Sequence, residues 1–182
     1  MDRAEEPPEA SLHGVLVDVS GVGVLLLGES GTGKSECALD LVARGHPLVA
    51  DDVVEIWRDG AQRVVGRGPA RIRHHMEIRG LGIINIRDLF GVAAIRDRKQ
   101  IELVIQLEAW RPEEEYDRLG VTEQTYALLG IEISRLRIPV SAGRNVAILV
   151  EVAARNHLLK RMGVHAARRF TSRLGEEPGD PA

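Results

Sequence analysis

Lysine is scarce in this 182-residue chain: only Lys34, Lys99 and Lys160 occur, against twenty-one arginines. Cysteine is scarcer still. The single thiol, Cys37, cannot close an internal disulfide, and among small residues it reads as a buried packing group. Aromatic residues make up 3% of the chain and the formal net charge is −3. Without a basic footprint or rings for stacking bases, nucleic-acid binding is excluded as the main role. No apolar run approaches the roughly 18 residues of a membrane-spanning helix. The opening "MDRAEEPPEA" also lacks the apolar core of a signal peptide, so the expected location is cytoplasmic, with no membrane partner.

What is present fits one soluble globular domain, with 44% apolar and 28% charged residues. Pro and acidic residues crowd both ends. Residues 1–10 and 175–182 are therefore expected to be disordered tails around a folded domain over 11–174. The domain shows no internal repeat or low-complexity segment.

Its strongest motif is "GESGTGKS", Gly28 to Ser35, which fits G-x-x-x-x-G-K-[ST]. With glycine at about 7% of residues, a chance match is expected in on the order of one chain in a hundred. The apolar run "VGVLLL" precedes it, and "SECALDLVARG" follows with Ala38, Leu39, Leu41 and Val42 at helical spacing. Strand, glycine loop and helix in that order form a phosphate site, the P-loop. Backbone N–H groups of Gly28, Glu29, Ser30, Gly31, Thr32 and Gly33 and the helix dipole cradle the anion. Lys34 reaches the outer phosphates of a nucleotide such as ATP, and the Ser35 hydroxyl ligates Mg²⁺. A lysine there, in a chain that otherwise uses arginine, suggests that a compact ammonium is required.

Along the rest of the chain, "LHGVLVDVSGVGVLLLG" reads as two strands turning at Ser20-Gly21, a β-hairpin ahead of the P-loop. A strand then ends in Asp51 and Asp52. Two short strands joined by a primed turn at Asp59-Gly60 follow, with further strands at "LGIINI", "IELVIQLEAW" and "RLRIPV". In "IELVIQLEAW", Ile101, Leu103, Ile105 and Leu107 share one face. Asn145 to Met162 reads as a helix capped by Asn145, and 164–173 as a second. The expected fold is α/β: a P-loop-containing domain with a mixed β-sheet, preceded by a β-hairpin and ending in two C-terminal helices.

Phosphoryl chemistry also needs acid groups near the terminal phosphate. Asp51 and Asp52 end the strand after the loop helix, where α/β sheets present side chains to ligands. Neighbours on a strand point to opposite faces, so one would serve the metal and the other an attacking hydroxyl or water. Glu77, in "HHMEIRGLGIIN", is a second acidic candidate, beside Gly80 and Gly82, which permit close backbone approach. His74 and His75 are adjacent and rarely converge on one ion. Arg118 in "YDRLG" and Arg144 in "PVSAGRN" are candidate phosphate contacts, and His13 stands alone at a strand start.

These segments together, from "HGVLVDV" through "EIRGLGII", "LEAW" and "YDRLG" to "IPVSAGRN" and "AILVEVAA", resemble the bacterial HPr kinase/phosphorylase family in order and spacing. The resemblance runs from about His13 to Leu174. It implies an enzyme that transfers phosphoryl from ATP to a serine of the phosphocarrier protein HPr, with possible phosphate-dependent removal that releases pyrophosphate. By position it implies Ser35 and Glu77 as Mg²⁺ ligands and Asp52 as the group that takes the serine proton. It also implies His13, Lys34 and Arg118 as active-site residues, Met76 to Asn85 as a catalytic segment, and Pro139 to Arg144 as a dephosphorylation loop. A homohexamer is implied too. Many members carry an additional N-terminal domain, without which catalysis is expected to persist. Where the family has Arg-Pro before Gly143, this chain has Ser141-Ala142, and the expectation is a bias towards the forward reaction. Two other readings stand beside this one: a small-molecule P-loop kinase, and a nucleotide-dependent switch module, of which a guanine-type switch lacks its Asn-Lys-x-Asp motif.

Overall fold

The computed structural model describes residues 7–114, 116 and 123–175. The chain begins with β1 (Ala10–His13), then β2 (Val15–Val19) and β3 (Val22–Leu27), followed by α1 (Lys34–Ala43). Next come β4 (Leu48–Ala50), β5 (Val53–Arg58), β6 (Val64–Arg67), β7 (His75–Ile78), β8 (Gly82–Asn85) and the short α2 (Ile86–Phe90). The remainder holds β9 (Arg98–Gln100), β10 (Leu103–Ala109), β11 (Gln124–Leu128), β12 (Ile131–Val140), α3 (Val146–Arg161) and α4 (Ala166–Gly175).

Ser20 and Gly21 take φ of 53° and 89°, so the β2–β3 hairpin closes through two left-handed residues, as a primed turn requires. The hairpin enters a six-stranded sheet ordered β11-β12-β10-β3-β2-β4. In it β10 is parallel to both β3 and β12, whereas β2 and β11 run antiparallel to their neighbours. A four-stranded antiparallel sheet, β1-β5-β6-β9, packs on one side, and β7 with β8 forms a separate hairpin.

The result is three layers with two cores. Val15, Val17, Val24, Leu26, Leu103, Ile105 and Leu107 face Ala38 and Leu41 of α1 and Val150 and Ala154 of α3. Leu16, Leu25 and Val104 point the other way, against Val54, Ile56 and Val64 of the second sheet. A strand covered on both faces has no polar side to show, which explains the unbroken apolar run ahead of the 28–35 loop. Truncating such a side chain, as in Leu25→Ala, would cost about 2–5 kcal/mol.

Mixed sheets and C-terminal helices match the expected class, but several local expectations are corrected. The strand read from Leu12 onward breaks at Gly14, so that Leu12 and His13 pair with β5. A Cβ at Gly14 would lie 2.9 Å from the Leu26 carbonyl oxygen, and the Gly14 N–H donates to the Asp52 carbonyl. Ile101 leaves the face of Leu103 and enters the core between the sheets. There the chain crosses layers: Ile101 N–H bonds Val64 O while Glu102 N–H bonds Gly23 O. The β5–β6 connection spans residues 59–63, closed by Asp59 N–H to Arg63 O, in place of a two-residue turn. β7, β9, β11 and α2 are additional elements. At the amino end, the pairing extends to Ala10, and Glu9 N–H donates to Ile56 O.

Candidate active site

Because β4 and β3 both run antiparallel to β2, the carboxyl ends of β3 and β4 and the amino end of β2 meet at one sheet edge, shared by the carboxyl ends of β10 and β12. That edge is where open α/β sheets bind ligands. It carries the 28–35 loop from β3, Asp51 and Asp52 from β4, and His13 ahead of β2. Ser30, Gly31, Gly33, Lys34 and Ser35 of the loop, both aspartates and His13 line one cleft with Glu77 and Arg79.

Gly31 and Gly33 take φ of 85° and 87°. Left-handed glycines alternating with ordinary residues turn successive N–H groups towards a common point, a backbone nest for an anion. Gly33 is also the N-cap of α1 and provides no side-chain cap, so the helix presents its first N–H groups to the cleft. Thr32 folds back on the loop, its N–H and hydroxyl both donating to Glu29 O. Lys34 is only 6% exposed, and its ammonium donates to Gly28 O at 2.8 Å and Glu29 O at 3.0 Å. Burial pulls its pKa down, against the nearby carboxylates of Asp51, Asp52 and Glu36.

The adjacent aspartates diverge. Asp51 is 7% exposed, accepts the Ser35 hydroxyl at 2.8 Å, and accepts the Glu77 N–H at 3.4 Å. Burial pushes its carboxyl above the usual range, and those two hydrogen bonds act in the opposite direction. Asp52 instead sits at φ 68° in a three-residue turn closed by Val53 N–H to Asp51 O. A non-glycine residue held at positive φ stores backbone strain, here offset by the bond from Gly14 N–H. The turn lifts the Asp52 side chain to 65% exposure in the cleft, with His13 Nδ1 at 3.1 Å from Oδ1.

Glu77 arrives from outside the main sheets. Met76 is 1% exposed in the helix-side core and anchors β7, while the pairing with β8 is extended by Ile86 N–H to His74 O. With Met76 inward, Glu77 points outward and lines the cleft. Arg79, two residues on, lines it as well. The segment Met76 to Asn85 implied by the resemblance contains Arg79, but the sequence alone does not single it out from its neighbours.

Other candidates lie elsewhere. Arg144 donates to Pro139 O at 3.0 Å and lines a different groove, between β12 and α3. The 141–145 loop shares the sheet edge but follows β12, two strand spacings or about 10 Å from β3. His74 Nε2 lies 3.6 Å from Asp97, whereas His75 pairs with Arg73 O and Asn85, so the two rings do not converge. Arg118 lies outside the described residues.

For a divalent cation the donor set is hard oxygen: Ser35, Glu77 and the carboxylate of Asp51. The Ser35 hydroxyl donates its hydrogen bond to Asp51, which leaves oxygen lone pairs for a cation. Among the described residues no group of three His, Cys, Asp or Glu forms a metal cage. Hard oxygen donors of this kind suit an ion such as Mg²⁺, which keeps waters and takes phosphate oxygens for the rest of its shell.

Residues 5–174 match the family model described as the HPr Serine kinase C-terminal domain. The HPr kinase/phosphorylase of Geobacter sulfurreducens is 59% identical over 167 residues, covering 92% of this chain and 52% of that protein. That of Bacillus subtilis is 54% identical over 169 residues, 93% of this chain and 54% of the relative. The chain thus spans about half the length of the curated relatives it matches. The solved HPr(Ser) kinase/phosphatase of Coxiella burnetii superposes with a TM-score of 0.78 at 32% identity, over 93% of this chain and 100% of that one. With a family model covering nearly all of its described residues, this chain belongs to the HPr serine kinase C-terminal domain family.

Proposed function

We propose that this domain transfers the terminal phosphoryl group of ATP to a serine of HPr. The observation that carries the reading is the divergence of Asp51 and Asp52: one carboxylate is bound to the loop serine, the other stands exposed in the same cleft beside His13. A kinase for a hydroxyl acceptor needs both, a metal-side acid and a proton acceptor on the acceptor side.

In this reading the loop N–H groups and Lys34 bind the phosphates, with Lys34 exchanging its carbonyl partners for phosphate oxygens. Ser35 and Glu77 hold Mg²⁺, with Asp51 behind Ser35. When bound, that ion supplies charge neutralisation on the phosphates. Asp52 accepts the serine proton, His13 orients the carboxylate, and Arg118 adds a further cation. Holding acceptor and donor in line provides much of the rate enhancement.

Phosphate-dependent removal of the group is the reverse side of the proposal, disfavoured here by Ser141-Ala142. The groove between β12 and α3, where Leu136, Val152 and Leu159 are exposed, supports assembly into a homohexamer. Among the described residues no helix is long and apolar enough to cross a membrane. We place the enzyme in the cytoplasm, where ATP is supplied.

The test is incubation with ATP, Mg²⁺ and purified HPr, followed by mass spectrometry for phosphoserine. The reading expects one phosphoryl group on HPr, absent without Mg²⁺. ATP turnover that HPr does not alter would overturn it in favour of a small-molecule kinase or a switch.

A further inference from the structure

We propose that Arg79 is an arginine finger supplied in cis, one that grips the phosphoryl group as it passes from donor to acceptor. The inference rests on the kinase reading above.

Its placement carries the argument. A methyl group built on Gly31 would lie 3.5 Å from both terminal nitrogens of Arg79, so the guanidinium hangs over the middle of the phosphate loop. Lys34 is tied to the loop carbonyls of Gly28 and Glu29. A phosphate chain seated in the loop would have the ammonium on one side and the guanidinium on the other. Gly31, at φ 85°, has no side chain to fill the space between.

Charge demands such a group. The described lining of the cleft holds four carboxylates, Glu36, Asp51, Asp52 and Glu77, and a triphosphate adds more negative charge. Against these, the lining offers one lysine and one arginine among the described residues, Lys34 and Arg79. The Arg79 guanidinium is also free to take an anion. Arg44, Arg67, Arg96 and Arg137 each hold a carboxylate, whereas no ion pair or hydrogen bond engages the Arg79 guanidinium among the described residues.

Its backbone is positioned by the site itself. Arg79 follows β7 directly, Glu77 N–H two residues earlier is bound to Asp51, and buried Met76 pins the strand. The backbone that carries the guanidinium is therefore tied to the metal-side aspartate. In the transfer step the serine oxygen forms a bond to the γ-phosphorus as the bond to the β–γ bridging oxygen breaks. The electron pair stays with ADP and the serine proton goes to Asp52. Charge spreads over the equatorial oxygens of the moving group, where a forked donor is worth more than in the ground state.

The test uses the full chain with Arg79→Ala and Arg79→Lys. For Arg79→Ala, kcat should fall roughly 10³-fold or more while KM for ATP stays within a few-fold. Calorimetric affinity for Mg·ADP should be nearly unchanged, but the complex with aluminium fluoride, a planar mimic of the moving group, should weaken at least about 10²-fold. Free guanidinium should restore part of the rate to Arg79→Ala. Arg79→Lys should recover little, lacking the fork. A natural kcat in Arg79→Ala, or equal loss of ADP and fluoride-complex affinity, would overturn the proposal. If the natural protein makes the fluoride complex in an Arg79-dependent way yet never phosphorylates HPr, the acceptor reading fails and the finger stands.

Discussion

Two strand–loop–helix units share the ligand edge of the six-stranded sheet, and they use their glycine turns in opposite ways. In the first, β3 leads through "GESGTGKS" into α1; in the second, β12 leads through "SAGRN" into α3. Each loop places a glycine at positive φ shortly before the helix, and each carries a cation. In the second unit the Asn145 side chain accepts Ile148 N–H at 3.0 Å, Arg144 donates to Pro139 O, and Arg144 N–H bonds Ser141 O. The first unit has no side-chain cap. A helix end becomes an anion site only if its donors are left unclaimed, so the helix must be stabilised by other means. For α1 that is burial of Cys37, Ala38, Leu41 and Val42 against the sheet.

The comparison is broken most severely at the acid opposite the first loop. Asp52→Asn keeps the size of the side chain and removes the proton acceptor. We expect transfer to HPr to fall about 10²–10⁴-fold while Mg·nucleotide still binds. Asp51→Asn should weaken Mg²⁺-dependent binding instead. Equilibrium binding beside single-turnover transfer separates the two, and a larger catalytic loss from Asp51→Asn would reverse the assignment of the two carboxylates.

The two loop cations give the next contrast. Lys34→Ala should lower forward transfer at least about 10²-fold with an unchanged circular dichroism spectrum. Arg144→Ala should lower it far less. Near-natural transfer in a folded Lys34→Ala protein would remove the first loop from the chemistry.

Most of the first unit was legible because its signals are local. A buried apolar strand, glycines at fixed intervals and a helical repeat all lie within about twenty residues, and the Asn145 cap is equally local. What stayed hidden depends on contacts distant in sequence. Nothing in "LHGVLV" shows that Leu12 and Leu16 serve different sheets, since the break at Gly14 comes from the approach of Leu26 O. Ile101 continues an alternating pattern and is diverted only by the bonds to Val64 and Gly23. Arg79 is one of twenty-one arginines, and only the anchoring of β7 by Met76 brings it over Gly31. The divergence of Asp51 and Asp52 could be anticipated from strand geometry, but not the left-handed turn that lifts Asp52 outward.

The second unit can be pushed towards the first. Inorganic phosphate attacking phosphoserine approaches as an anion among carboxylates, and Ser141 offers no charge to meet it. Ala142 leaves the loop more conformational freedom than proline would. Ser141→Arg with Ala142→Pro should raise phosphate-dependent release from phospho-HPr several-fold and change forward transfer less. Both directions are measured at matched enzyme and Mg²⁺. A vigorous natural reverse rate, unaltered by the substitutions, would mean that another cation already binds the attacking phosphate.

The smallest effect concerns the cap itself. Asn145→Ala removes the acceptor for Ile148 N–H and should lower stability by about 1 kcal/mol. For a domain of this size that is a fall in Tm of roughly 2–4 °C, or a matching drop in the urea midpoint at constant m. Forward transfer should stay near its natural rate, because the cap lies two strands from the phosphate loop. Phosphate added to the variant supplies the decisive reading. If uncapping is what makes an anion site, the exposed N–H groups of α3 should now bind phosphate weakly, and millimolar phosphate should recover part of the lost stability by mass action. Stability lost without any response to phosphate would show that an open helix end is insufficient, and that the left-handed glycines and Lys34 of the first loop are needed to hold an anion there.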